Sequence, residues 1–313
     1  MKNFLRIAAL LALFAFSSVA NAATCFWVGG TGNFDNTNQA SWSSGTGGSG
    51  STCAATGGIP KNAGDIATFD GASGGGTVTV CGASSASCPT SSGLLSLAQI
   101  TMGAFTGTID FATNNPNVTL TTAMSLTGTG TKTLNMGSGT WTLSATSGTI
   151  WDCSTCGNLT LNANTSTISA SASATGARSL VFGTGKTYST ISIANTGNNA
   201  NYIDLTPTAS GATIATLNIT APIIVRVAGS NTITITNAVT WAGTAFNSAI
   251  QLEAVAGVTG SLALAGGSTC TWCVIGGITF TGSPTAPNSF DMKGNSGITI
   301  TGPSGGGGKI IGG

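Results

Sequence analysis

From about Val78 to Thr301 the chain repeats one short pattern, an aliphatic or aromatic residue alternating with Thr, Ser or Asn. Examples are Asn117-Val118-Thr119-Leu120-Thr121, Gly139-Thr140-Trp141-Thr142-Leu143, Thr190-Ile191-Ser192-Ile193 and Asn231-Thr232-Ile233-Thr234-Ile235. A period of two sends the apolar side chains to one face of a strand and the hydroxyls to the other. The branched Cβ of Thr, Val and Ile suits such a pleated surface. No stretch of helical period interrupts the pattern, so the expected fold class is all-β. Gly-Ser, Gly-Thr-Gly and Asn-Thr-Gly-Asn-Asn clusters separate the strands as turns. An antiparallel sandwich or barrel accommodates this alternation. A solenoid does too, and it explains the monotony, because each coil buries its aliphatics only by stacking on the next. One unbroken texture without a central linker favours the solenoid. The expectation is a right-handed parallel β-helix (β-solenoid) over residues 77–302, with coils of roughly 20 to 25 residues.

Three other segments flank it. Lys2 and Arg6, the apolar run Ile7 to Phe16 and the small residues of Val19-Ala20-Asn21-Ala22-Ala23 have the three-part layout of a cleavable signal peptide over residues 1–22. The run is short for a membrane anchor, which needs about 20 apolar residues. No second spanning segment follows, so no stable membrane insertion of the mature chain is expected. Residues 23–76 scatter Trp27, Phe34, Trp42 and Phe69 among glycines and read as a small cap hiding the open edge of the first coil. Residues 303–313 read as a Gly-rich flexible tail.

Only 5% of the residues are charged, against roughly 25% in an ordinary soluble protein. Without Lys2 and Arg6, the nine basic residues fall to seven against eight acidic ones. That near-neutral balance excludes a basic nucleic-acid footprint, and the apolar content is too high for disorder. All eight cysteines, Cys25, Cys53, Cys81, Cys88, Cys153, Cys156, Cys270 and Cys273, follow the leader, and an even number in an exported chain points to disulfides. Spacing alone leaves the pairing open. Short loops close cheaply, which favours Cys25–Cys53, Cys81–Cys88, Cys153–Cys156 and Cys270–Cys273.

The stretch Phe26-Trp27-Val28-Gly29-Gly30-Thr31-Gly32-Asn33-Phe34, with Ser41-Trp42-Ser43, Gly58-Ile59-Pro60 and Gly64-Asp65-Ile66-Ala67-Thr68-Phe69-Asp70, resembles an N-terminal module that precedes β-helical passengers. Such modules occur in autotransporter-like surface proteins and in uncharacterised proteins of bacteria and their phages. The resemblance covers about fifty residues. It implies an extracellular parallel β-helix with a structural, adhesive or host-contact role.

Catalytic options are few. The chain has no histidine, which removes His-based triads and the commonest general base. A polysaccharide lyase or hydrolase would need stacked carboxylates, and on this chain stacking would have to gather Asp110, Asp152 and Asp204 near Arg178 or Arg226. The competing reading is that each acid caps a turn or faces solvent. Asp35, Asp65 and Asp70 offer oxygen ligands for calcium but lack the Asp-x-Asp-x-Asp-Gly spacing, so local turn capping is favoured. The two CxxC pairs suit zinc in a cytosolic chain; after an export signal, disulfide-closed corners are favoured. Trp141, Trp151, Trp241 and Trp272 make a sugar-stacking platform if they point outward and core if they do not, and the alternation places Trp141 and Trp241 inward. Gly74-Gly75-Gly76 lacks the ending of a phosphate loop. No catalytic residue, cofactor or metal is therefore expected. The leading expectation is an exported, non-enzymatic surface, adhesive or structural protein, secreted or at the cell surface, whose partners are glycans, a cell surface or a matrix. A phage tail or appendage component located in the virion and a β-helix enzyme are the alternatives.

Overall fold

The structure is a computed structural model that describes residues 22–82, 84–172, 176–195, 201–209 and 211–303. The expected leader up to Asn21 and the tail after Pro303 lie outside them. The described chain is all-β, with no α-helix and only short 3-10 turns. Among the paired strands, one pairing is antiparallel and the rest are parallel. Most strands bond to the strand one coil before and the strand one coil after, so the chain winds into a β-solenoid.

Inward residues stack in columns. One column runs Leu95, Val118, Trp141, Ile168, Ile191 and Leu217. A second runs Ala67, Ile100, Met124, Trp151, Leu180, Leu205 and Val227. A third begins Val78, Ile109, Leu134 and Leu161. Nearly all of these side chains are buried, and each fully buried Leu, Ile or Val contributes about 1.5–3 kcal/mol. Trp141, Trp151 and Trp241 belong to this interior. The Trp241 indole donates to the Leu217 carbonyl at 2.8 Å.

Coil length departs from the uniform value expected. Partners in the first column lie 23, 23, 27, 23 and 26 residues apart between Leu95 and Leu217. Trp241 and Cys270 pair across 29 residues. Thr269, Thr285 and Thr299 then pair across only 16 and 14. Parallel register constrains the strands alone, so the corners between them are free to lengthen or shrink.

Residues 23–76 supply both a first rung and its cover. Thr24–Trp27 pairs in parallel with Ile66–Phe69, and Trp42–Ser43 lies antiparallel against the same strand, blocking an edge that would otherwise be open to another chain. Trp27, Phe34, Trp42, Phe69 and Phe105 form a continuous aromatic cluster with centroids 4.8–6.2 Å apart. The Trp-Val-Gly-Gly-x-Gly stretch wraps this cluster. The Trp27 indole donates to the Gly30 carbonyl at 3.0 Å. A Cβ on Gly29 would sit 2.5 Å from Ser41 Oγ and 2.9 Å from the Trp27 ring, so the turn closes over the indole only with glycine there.

Four disulfides brace the coils, in the four pairings favoured by the short loops: Cys25–Cys53, Cys81–Cys88, Cys153–Cys156 and Cys270–Cys273. Lys132 braces another corner. It is 1% exposed, and its ammonium donates to the carbonyls of Met102, Gly103 and Thr127, stitching together chain ends that turn out of the ladder. Burial pulls its pKa down from 10.5 to about 8. Between those two values the unfolded chain holds the proton and the folded chain does not, so stability rises with pH across that window. Denaturant titrations from pH 7 to 10.5 should show this rise, and Lys132→Met should reduce it to the share left by Lys186, whose pKa burial also lowers. At pH 7 the same substitution leaves three carbonyls without a donor, a loss that is offset by no longer burying a charge.

Candidate functional site

Because the strands are parallel and in register, outward residues stack as regularly as inward ones. On the outer face of the first column one row runs Ser96, Thr119, Thr142, Ser169, Ser192 and Asn218. Beside it runs a second row of Thr140, Thr167, Thr190 and Thr216. Farther along, Thr240, Thr269, Thr285 and Thr299 stack in the same manner. These rows contain no charged residue. Rungs repeat at about 4.8 Å and alternate residues along a strand at about 6.7 Å, so the hydroxyls form a flat rectangular array. Their χ1 angles are stiff in Thr, which keeps the array ordered. A further face carries Thr77, Thr108, Thr133 and Thr160. Next to that row, Asn162 Nδ2 donates to Asn135 Oδ1 at 2.7 Å and Asn135 Nδ2 to Asp110 Oδ1 at 3.1 Å.

Every acidic side chain of the chain has a local task. The Asp35 carboxylate accepts from the amide and hydroxyl of Thr37. Asp65 is fully buried and accepts from the amides of Ala23, Lys61 and Asn62 and from the Asn62 side chain. Asp70 accepts from Ala72 and Ser73 and from the Thr46 hydroxyl. Asp110 holds Ala112 and Thr113, Asp152 holds Ser154, and Asp291 holds Lys293 and Asn295. Asp204 pairs with Arg226, and Glu253 accepts from Gln251. Asp110, Asp152 and Asp204 are not brought together: Asp110 lies on a different sheet face, and Asp152 stacks on Val181 and Thr206, not on Asp204. Among the described residues no group of three or more His, Cys, Asp or Glu side chains is placed to hold a metal. Both CxxC pairs are closed as disulfides. The four-tryptophan platform does not form, because Trp141, Trp151 and Trp241 are buried and only Trp272 is partly exposed.

The outer face of the second column is different in kind. Here Tyr202, Ile224, Gln251, Val274 and Phe290 stack in register, beside a charged row of Asp204, Arg226 and Glu253. Arg226 donates to both Asp204 oxygens at 2.7 and 2.9 Å and lies 3.3 Å from the centre of the Tyr202 ring. The Asp204 carboxylate holds the Arg226 pKa above its usual value. The loop of the 29-residue coil folds over this face, carrying Phe246 at its tip. Phe246 and Phe290 meet edge to face at 5.1 Å. None of these outward apolar residues stands out in the sequence by motif. The available signal is Ile223-Ile224-Val225, where the alternation lapses. Among the described residues no helix is long and apolar enough to cross a membrane. Comparison with known proteins gives no match to a family model, to a curated protein or to a solved structure.

Proposed function

We propose that this chain is an exported, non-enzymatic β-solenoid that serves as a surface or adhesive component, contacting glycans or a matrix through its outward faces. The observation that carries the reading is the uncharged array of Thr, Ser and Asn stacked rung upon rung on the first face. Such a surface offers many weak, periodic hydrogen bonds and no concave site, which suits an extended polymeric partner. The local employment of all eight acids weighs against acid–base catalysis. Four disulfides suit an oxidising compartment.

The test has two arms. Expressed with its first twenty-two residues in a host with a general secretory pathway, the chain should be recovered outside the cytoplasm, beginning at Ala23 by mass. The mature protein should bind a subset of a glycan array or intact cells. Thr142→Lys/Thr190→Lys, placing two charges mid-face, should weaken that binding at least tenfold. Both threonines are half-buried on the outer face, and a lysine stem can lie along the sheet with its ammonium in water, so unfolding should shift by no more than about 1 kcal/mol. Binding unchanged by the double variant would remove the first face from the reading.

A further inference from the structure

The groove on the second face carries a more specific chemistry. Phe246 is 64% exposed and sits on a hydrogen-bonded turn. The 3-10 turn Phe246–Ser248 is closed by hydrogen bonds from Ser248 N to the Ala245 carbonyl and from Thr244 N to the Ser248 carbonyl. Its two ends are tied to the next coil through Gly243 N to the Thr271 carbonyl and Ile250 N to the Trp272 carbonyl. A large aromatic ring held out in water on an ordered turn forgoes about 1.5–3 kcal/mol of burial. It walls an open groove of about 200 Å³ whose lining includes Ile224, Asn247, Gln251 and Val274. Closed sites for drug-sized ligands run to about 300–1,000 Å³, so this groove is on the scale of a single ring.

We infer that this groove is a subsite for a neutral pyranose ring within a linear glycan, with Phe246 stacking on the sugar's C–H face and Asn247 and Gln251 bonding its equatorial hydroxyls. The inference rests on the glycan-binding reading above and gives it a location. The neutral character follows from the charges around the groove. Gln251 Nε2 already donates to Glu253 at 2.8 Å, which orients the amide so that its carbonyl oxygen is the group left to accept. Glu253 itself repels an acidic sugar. Arg226, one rung from Glu253 in the charged row, is engaged by Asp204 and Tyr202. The linear character follows from the floor: Ile224, Gln251 and Val274 occupy three consecutive rungs, a track of roughly 10 Å at the rung spacing, and Phe290 continues the row one rung farther.

The experiment is calorimetric titration of the mature protein with cellohexaose, chitohexaose and oligogalacturonate, repeated on Phe246→Ala, Phe246→Tyr and Gln251→Ala. The expected result is binding of a neutral hexasaccharide, weakened about tenfold or more by Phe246→Ala and by Gln251→Ala, and retained by Phe246→Tyr. Far-UV circular dichroism should be unchanged, because Phe246 is largely exposed on a corner outside the strand ladder. Neutral-sugar binding that survives Phe246→Ala overturns the groove while leaving the glycan reading intact. Binding of oligogalacturonate alone overturns the neutral assignment. A protein that binds no oligosaccharide and no glycan on the array overturns both. Loss of a dimer in Phe246→Ala, seen by sedimentation without sugar binding, assigns the groove to self-association and overturns the subsite.

Discussion

Trp141→Ala should lower the free energy of unfolding by about 3–5 kcal/mol, the range for deleting a fully buried aromatic side chain. Trp141 is fully buried. It stacks between Val118 and Ile168 in the first column and meets Phe111 at 4.5 Å and Trp151 at 6.2 Å, both edge to face. Truncation therefore leaves a cavity spanning neighbouring coils, together with two aromatic contacts worth about 0.5–1.5 kcal/mol each beyond area. In a stack where each coil touches only its neighbours, the damage stays local. Hydrogen exchange should speed up first in Asn117–Ser125, Thr140–Leu143 and Thr167–Ala172, with the terminal rungs little affected. A uniform loss of protection along the chain would show that the coils unfold as one unit.

Cys25→Ser/Cys53→Ser should cost about 3.5 kcal/mol, and Cys153→Ser/Cys156→Ser about 2, if chain entropy sets the scale. The sequence separations are 28 and 3, so the first bridge restricts far more of the unfolded chain. It also ties the covering segment to the first rung, since Cys25 lies in the strand Thr24–Trp27 and Cys53 follows Trp42–Ser43. Opening it frees the antiparallel cover and bares a strand edge. The first variant should therefore aggregate on warming, measured by light scattering, whereas the second should not. Equal losses in the two variants would mean that the bridges act mainly through folded-state contacts.

The class of fold was legible because a period of two sustained by Val, Ile and Thr admits little else, and because monotony without linkers selects stacking. The cysteine pairings were legible for a related reason: in a chain of short local coils, partners in space are near in sequence. The roles of the aspartates followed from their isolation among Gly, Ser and Asn, as Asp70-Gly71-Ala72-Ser73 and Asp110 to Thr113 illustrate. Coil length was not legible, because corners obey no period. The groove was not legible either. Ile224, Gln251, Val274 and Phe290 are far apart in sequence and meet only once the register is known. The same holds for the Asp204–Arg226 pair, set side by side by one turn of the coil.

The elastic corner has a consequence for how such a protein changes over time. Trp241 and Cys270 stay paired although the coil between them carries the loop with Phe246, so a longer corner is accommodated there without disturbing the ladder on either side. New contact surfaces can thus be installed at a bend one at a time, while the hydrocarbon pile inside goes on as before. Corner residues and stacked residues are separate sets, so a corner can be rewritten while the stack is kept unchanged.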